Sequence, residues 1–211
     1  MKSLFAVAVL CWLTGLTSIV SDPSGPLYEA GVRSVVLIES EMKVTEIVIF
    51  ADPSKVPEER ERTITRTGTG FVLNGRLITC FHVVGGAESI FITEKNGRKQ
   101  EAKVVKFDEE KDLAELEVKA RPPSLYLAKC LKPQTRVWQI GNPGPMRFVM
   151  TSEGRYMGGD GKHSVFDLTT YFGFSGSPVL NRQGEVVGMS QALRGRLAFG
   201  ATIENLRGFL K

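Results

Sequence analysis

Hydrophobic positions along this chain fall in short runs that break at glycine, proline or charged residues. Residues 34–40 (SVVLIES) and 45–50 (TEIVIF) are rich in β-branched side chains and bounded by polar ones, which predicts two strands. Residues 51–62 (ADPSKVPEERER) carry two prolines and many charges and predict an exposed loop; the mixed-sign stretch 58–66 (EERERTITR) predicts a solvated loop as well. Next comes GTGFVLNGRLITC (68–80), where Asn74-Gly75 separates two apolar runs. That dipeptide tolerates positive φ at both central turn positions and predicts a hairpin. Residues 89–107 repeat the theme around Asn96-Gly97, and 112–118 (DLAELEV) alternate with the period of a half-buried strand.

Residues 121–134 (RPPSLYLAKCLKPQ) hold three prolines and predict a linker. Beyond it RVWQIG, RFVMTSEGRYM, SVFDLTTY, SPVLN, EVVGMSQAL and RLAFGATI each read as strands, and Ile203, Leu206 and Leu210 have the spacing of a short terminal helix. About a dozen short strands separated by turn signals predict an all-β protein built from antiparallel barrels or sandwiches. No internal repeat, low-complexity tract or coiled coil is visible.

Composition adds constraints. With 42% hydrophobic and 24% charged residues among 211, the chain is an ordinary globular one. Its net charge of +4 is spread among interspersed acids and bases, which speaks against a nucleic-acid partner. The N-terminus departs from this pattern: Lys2 precedes an uncharged stretch from Leu4 to Val20, followed by small and polar residues. That layout predicts a signal peptide over 1–21, or an uncleaved anchor tethering the chain to a membrane through 4–20. Residues 22–33 would be an exit segment, and the folded part would lie outside the cytoplasm. Cys11 belongs to the targeting segment, which leaves Cys80 and Cys130, read as two buried thiols, with a disulfide between them the alternative that a secreted context permits. No closely spaced set of His, Cys and carboxylate residues predicts a metal site, and no cofactor is expected.

The stretch YFGFSGSPVLNRQGEVVG (171–188) places Ser175 between glycines, ahead of an apolar run. For such a serine to attack a carbonyl it needs a base, an acid to orient the base, and N–H donors for the developing oxyanion. The chain has two histidines, His82 in LITCFHVVGGAES and His163 in GGDGKHSVF. The stretch GTGFVLNGRLITCFHVVGGA resembles the region around the base in chymotrypsin-fold serine peptidases, HtrA-type ones above all. DEEKDLAELEV resembles the segment carrying their orienting aspartate, VWQIGNPG the opening of their second barrel, and GFSGSPVLN their nucleophile loop, in the G-x-S-G-S-P form of glutamyl endopeptidases. The order His, Asp, Ser is that of this fold.

The resemblance covers residues 34–211 and implies two six-stranded antiparallel barrels, 34–120 and 135–211, with the active site in the cleft between them. It implies Ser175 as nucleophile, His82 as base, Asp112 as orienting acid, and the N–H groups of Gly173 and Ser175 as the oxyanion hole. Asp108 is the competing acid, four residues earlier in the same loop, while Asp167 is read as structural and His163 as a loop residue. The resemblance sets the substrate pocket near Thr169, Thr170, Tyr171, Gln191, Ala192, Leu193, Ala198, Phe199 and Gly200. None of these is acidic, so a small-to-medium uncharged side chain of a polypeptide substrate is expected there. Phe174 departs from the family pattern, which carries Asn or Asp before the serine; its burial would have to set the loop instead. Cys80 and Phe81 are bulkier than the family's residues before the base. No appended peptide-binding module is expected after the terminal helix. A binding protein that keeps the fold without turnover, and a peptidase restricted to itself or a polyprotein, are the rival readings.

Overall fold

The computed structural model describes residues 24–211 apart from 53, 145 and 147. The signal or anchor segment at 1–21 lies outside them. Most of the expected exit segment is helical, α1 (Ser24–Ser34). Tertiary packing overrides a run with weak helix signals here. Val32 is buried in the main core, and a side chain on Gly31 would collide with Ile140, so the helix backbone lies directly on the second half of the protein.

The first half contains β1 (Val35–Val48), β2 (Glu58–Leu73), β3 (Arg76–Thr79), the single-turn helix α2 (Phe81–Val84), β4 (Ser89–Glu94), β5 (Lys99–Glu101), β6 (Lys103–Asp108) and β7 (Leu113–Glu117). They form one antiparallel sheet in the order β5-β4-β1-β2-β3-β7-β6. Its two edges are consecutive pieces of chain: β5 pairs with β4, β6 pairs with β7, and only the buried Ala102 separates them. Lys99–Asp108 is therefore one bent stave joining both edges, and the seven strands curl into the six staves expected.

Two expectations fail in this half. The runs at 34–40 and 45–50 belong to the single strand β1, and the charged stretch 58–66, expected as a loop, is the outer part of β2. A continuous ladder from Val35↔Phe71 out to Val48↔Glu58 carries both strands beyond the barrel. Out there the side chains are mostly exposed, and backbone pairing rather than burial makes the strand, so hydrophobic periodicity could not reveal it. At the opposite end of β2 the predicted hairpin forms, with φ of 48° at Asn74 and 80° at Gly75.

The second half is a closed barrel of β8 (Arg136–Gly141), β9 (Met150–Gly159), β10 (His163–Asp167), β11 (Pro178–Leu180), β12 (Val186–Arg194) and β13 (Leu197–Ala201), ordered β10-β13-β12-β11-β8-β9. The helix α3 (Ile203–Phe209) follows, and the Thr202 hydroxyl caps it by accepting from Asn205 N–H at 3.0 Å. The proline-rich linker is stitched to both halves, through bridges Leu73↔Leu125 and Leu127↔Val186. Ile140, Leu180 and Met189 of the second barrel share one core with Phe71, Leu77 and Leu113 of the first, which fixes the two barrels against each other.

Candidate active site

β3 runs out of the first barrel into α2, which carries His82 at the edge of a cleft of 840 Å³. Asp112 sits in the turn before β7, at a φ of 52°; aspartate is one of the few residues that tolerate that region. Its carboxylate grips the histidine at two points. Oδ1 accepts from His82 N–H at 2.8 Å, and Oδ2 lies 2.7 Å from His82 Nδ1. This grip assigns the proton to Nδ1 and turns Nε2 away from the acid as an acceptor. The other aspartates have partners of their own: Asp108 pairs with Lys111 at 2.6 Å, and Asp167 accepts three hydrogen bonds from Arg196, of 3.3, 3.0 and 2.8 Å. His163 pairs with Asp160 at 3.6 Å on the β9–β10 hairpin and lines the same cleft.

Ser175 lies on the loop between β10 and β11, in the wall of an adjoining depression of 450 Å³. Gly68 shows how close this loop comes to α2: a side chain there would strike Val83 and meet Ser175 O at 3.1 Å. Among the described residues, Ser175 Oγ has no hydrogen-bond partner, and the N–H groups of Gly173 and Ser175 donate to no protein acceptor. Both neighbouring glycines have left-handed backbone, φ 91° at Gly173 and 87° at Gly176. A Cβ at Gly173 would run into Gly144 N and Asn142 O, so only glycine fits.

Three residues hold this loop. Phe174 is 0% exposed and packs edge-on against Tyr171, with centroids 5.6 Å apart, so the departure from the family pattern is an apolar anchor. Thr69 is also fully buried. Its hydroxyl donates to Gly173 O at 2.8 Å and accepts Asn142 N–H at 2.9 Å, while its own N–H donates to Ser175 O at 2.8 Å. Gly176 N–H is tied to Ser190 O at 2.8 Å. Sequence reasoning passed over Thr69, whose only signal was its place between two glycines.

Of the predicted pocket residues, Thr170, Tyr171, Gln191, Ala192 and Leu193 line the depression beside Ser175, together with Ser190 and Phe172. Four do not. Thr169 is exposed outside it, Ala198 and Gly200 are buried in the barrel, and Phe199 lines the neighbouring cleft. Strand alternation on β13 explains the split, because every second residue turns into the core. Gln191 has a further role: its Nε2 donates to Lys111 O at 2.6 Å and Asp112 O at 3.1 Å, tying the second barrel to the turn that carries Asp112.

The cysteines are unpaired and differ, since Cys80 is buried while Cys130, expected to be buried, is exposed. Burial, reinforced by the Asp112 charge, pushes the Cys80 thiol well above its usual range. Its Sγ lies 3.3 Å from Ser190 O, so Ser190 O gathers contacts from both the His82 segment and the Ser175 loop.

Two six-staved antiparallel barrels with this cluster at their junction define the chymotrypsin-like class. Residues 68–189 match the trypsin-like peptidase domain, and the chain belongs to that family. It is 31% identical over 158 residues to a probable periplasmic serine endoprotease, DegP-like, of Hahella chejuensis, a match spanning 68% of this chain and 33% of that protein. Serine protease HTRA1 of Xenopus tropicalis is 25% identical over 207 residues, 90% of this chain and 44% of that protein. The chain thus spans a third to under half the length of these curated relatives. In fold it is similar to the Rv3671c protease of M. tuberculosis in its active form, with a TM-score of 0.72 and 24% identity over 89% of this chain and 83% of that one. No helix among the described residues is long and apolar enough to cross a membrane.

Proposed function

We propose that this chain is an exported serine endopeptidase that cleaves polypeptides through Ser175, His82 and Asp112. The observation that carries this reading is the two-point grip of Asp112 on His82, which turns Nε2 away from the acid on a helix whose Val83 faces Ser175 O across Gly68. Ser175 Oγ attacks the scissile carbonyl carbon while its proton passes to Nε2. Asp112 stays ionised and stabilises the imidazolium through Nδ1–H. The carbonyl oxygen, now an anion, receives the unbonded N–H groups of Gly173 and Ser175. The imidazolium returns its proton to the departing amine, leaving an acyl group on Ser175. Water, deprotonated by the same Nε2, then releases the acid product and restores the hydroxyl.

The depression beside Ser175 supports an uncharged side chain at the cleavage site. Tyr171, Phe172, Ala192 and Leu193 offer apolar surface there, Thr170 and Ser190 offer hydroxyls, and no acidic residue lines it. Export is supported by the uncharged stretch at 4–20 and by a relative named as periplasmic.

The test is labelling by a fluorophosphonate probe, followed by digestion of a diverse peptide library. Folded wild-type protein is expected to label and Ser175→Ala not to. Absence of wild-type label, under conditions that label a control peptidase, overturns the reading; so does label retained in Ser175→Ala.

A further inference from the structure

Linear spacing along the chain shows no metal-ligand set, but the fold assembles one. Cys80 at the end of β3, His82 in α2 and Asp112 before β7 converge behind the imidazole. Cys80 Sγ, a His82 ring nitrogen and an Asp112 carboxylate oxygen lie within 4.8 Å of one another. Three properties make this more than a chance cluster. The donors are a sulfur, a nitrogen and an oxygen, the set that a borderline-soft divalent ion accepts. Bonds of about 2.0–2.3 Å separate the ligands of a tetrahedral Zn²⁺ by roughly 3.3–3.7 Å, within reach of small side-chain rotations here. The cluster is also graded in depth. Cys80 is in the core, the Asp112 side chain is 26% exposed and that of His82 48%, so two of the three ligands face the cleft and the sulfur lies beneath them.

We infer that Zn²⁺ binds Cys80 Sγ, His82 Nδ1 and Asp112 as an inhibitory site. Binding forms the metal–sulfur bond as the thiol proton leaves to solvent, and the ion replaces the 2.7 Å hydrogen bond between Nδ1 and Oδ2. The ring stays neutral, so its proton moves from Nδ1 to Nε2. A protonated Nε2 no longer accepts a proton from Ser175. The inhibitory consequence rests on the peptidase reading above, whereas the metal site does not. Cys80 decides the site, because without its sulfur two ligands remain, and they already satisfy each other.

The test uses the full chain carrying Cys11→Ala and Cys130→Ala, so that Cys80 is the one thiol left. Cd²⁺ titration is expected to give a sulfur-to-metal charge-transfer band saturating at one equivalent and displaced by Zn²⁺. The same band is expected in Ser175→Ala, which keeps the site's failure distinct from that of the peptidase reading. Zn²⁺ is expected to inhibit, reversibly by chelator. In both Cys80→Ala and Cys80→Ser the inhibition constant, relative to each variant's own metal-free rate, should rise by at least about 100-fold, more than an outer-sphere partner is worth. The site is overturned by a missing band in the folded single-thiol protein, or by Zn²⁺ inhibition that persists unchanged without Cys80. A band without inhibition in an active enzyme overturns the tautomer mechanism.

Discussion

Phe174→Ala tests whether an apolar anchor does the work of aiming the proposed oxyanion donors, the N–H groups of Gly173 and Ser175. The ring is fully buried one residue before Ser175, against Tyr171 and the end of β8 at Gly141. Transfer of a phenyl side chain out of water is worth about 1.5–3 kcal/mol. The unfilled cavity raises the cost of truncation to about 3–5 kcal/mol. How that cost divides depends on what else holds the loop. Downstream of Phe174 the backbone is tied by Thr69 N–H to Ser175 O, Gly176 N–H to Ser190 O and Ser177 N–H to Phe174 O. Upstream, Phe172 is 97% exposed, and the Gly173 peptide is held by Thr69, by the Phe174 N–H bond to Tyr171 O at 3.1 Å and by contact with Asn142 and Gly144, with the Phe174 ring as its one apolar side-chain anchor. The loop should therefore sink into the vacated space, recovering part of the stability and tilting Gly173 N–H off target. The expected result is a loss of about 2–3 kcal/mol in chemical denaturation and a fall in kcat of about 10²-fold or more, the value of one donor. KM for a short ester substrate should change far less. Phe174→Leu, which keeps most of the volume, should recover most of both. A variant that loses the stability yet keeps kcat within about threefold would show that the donors are aimed without Phe174, and would refute the reasoning.

Three further outcomes are expected. Thr69→Val leaves Asn142 N–H buried without its acceptor and frees Gly173 O, so it should cost about 1–3 kcal/mol in denaturation and lower kcat, with Thr69→Ser restoring both; full activity in the valine variant refutes the coupling. Gln191→Leu removes both donors to Lys111 O and Asp112 O, which should loosen the acid's turn and lower kcat for ester substrates of every side chain alike; a change confined to substrate preference would mean that Gln191 acts only as pocket wall. Hydrogen bonds from Lys111 hold the Asp108 carboxyl below the ordinary aspartate range. Its stabilisation is therefore present above that range and lost as pH falls through the depressed value. Asp108→Asn should be less stable than wild type at neutral pH by under about 1 kcal/mol, the size of an exposed pair, with the gap closing in acid; a gap that widens there contradicts the sign.

Much of the framework is written in local pattern. Alternation and turn dipeptides marked the strands of both barrels and the Asn74-Gly75 hairpin, because side-chain period and turn chemistry are set by neighbours in sequence. His82, Asp112 and Ser175 stood out as candidates through motif spacing, and Phe174 as the odd residue beside them. Where burial was absent the pattern was silent: the outer part of β2 is charged and exposed, and only backbone pairing makes it sheet. Other features depend on contacts between residues far apart in the chain. Closure of the first barrel through the bend at Ala102, the hold of Thr69 on Gly173, and the clamp of Gln191 on the Lys111 and Asp112 carbonyls all join residues with unrelated local sequence. So does the meeting of Cys80 with Asp112 behind His82. A side chain's type and neighbours set what it is able to bond, but the packing of two barrels on one shared core decides which partner it meets.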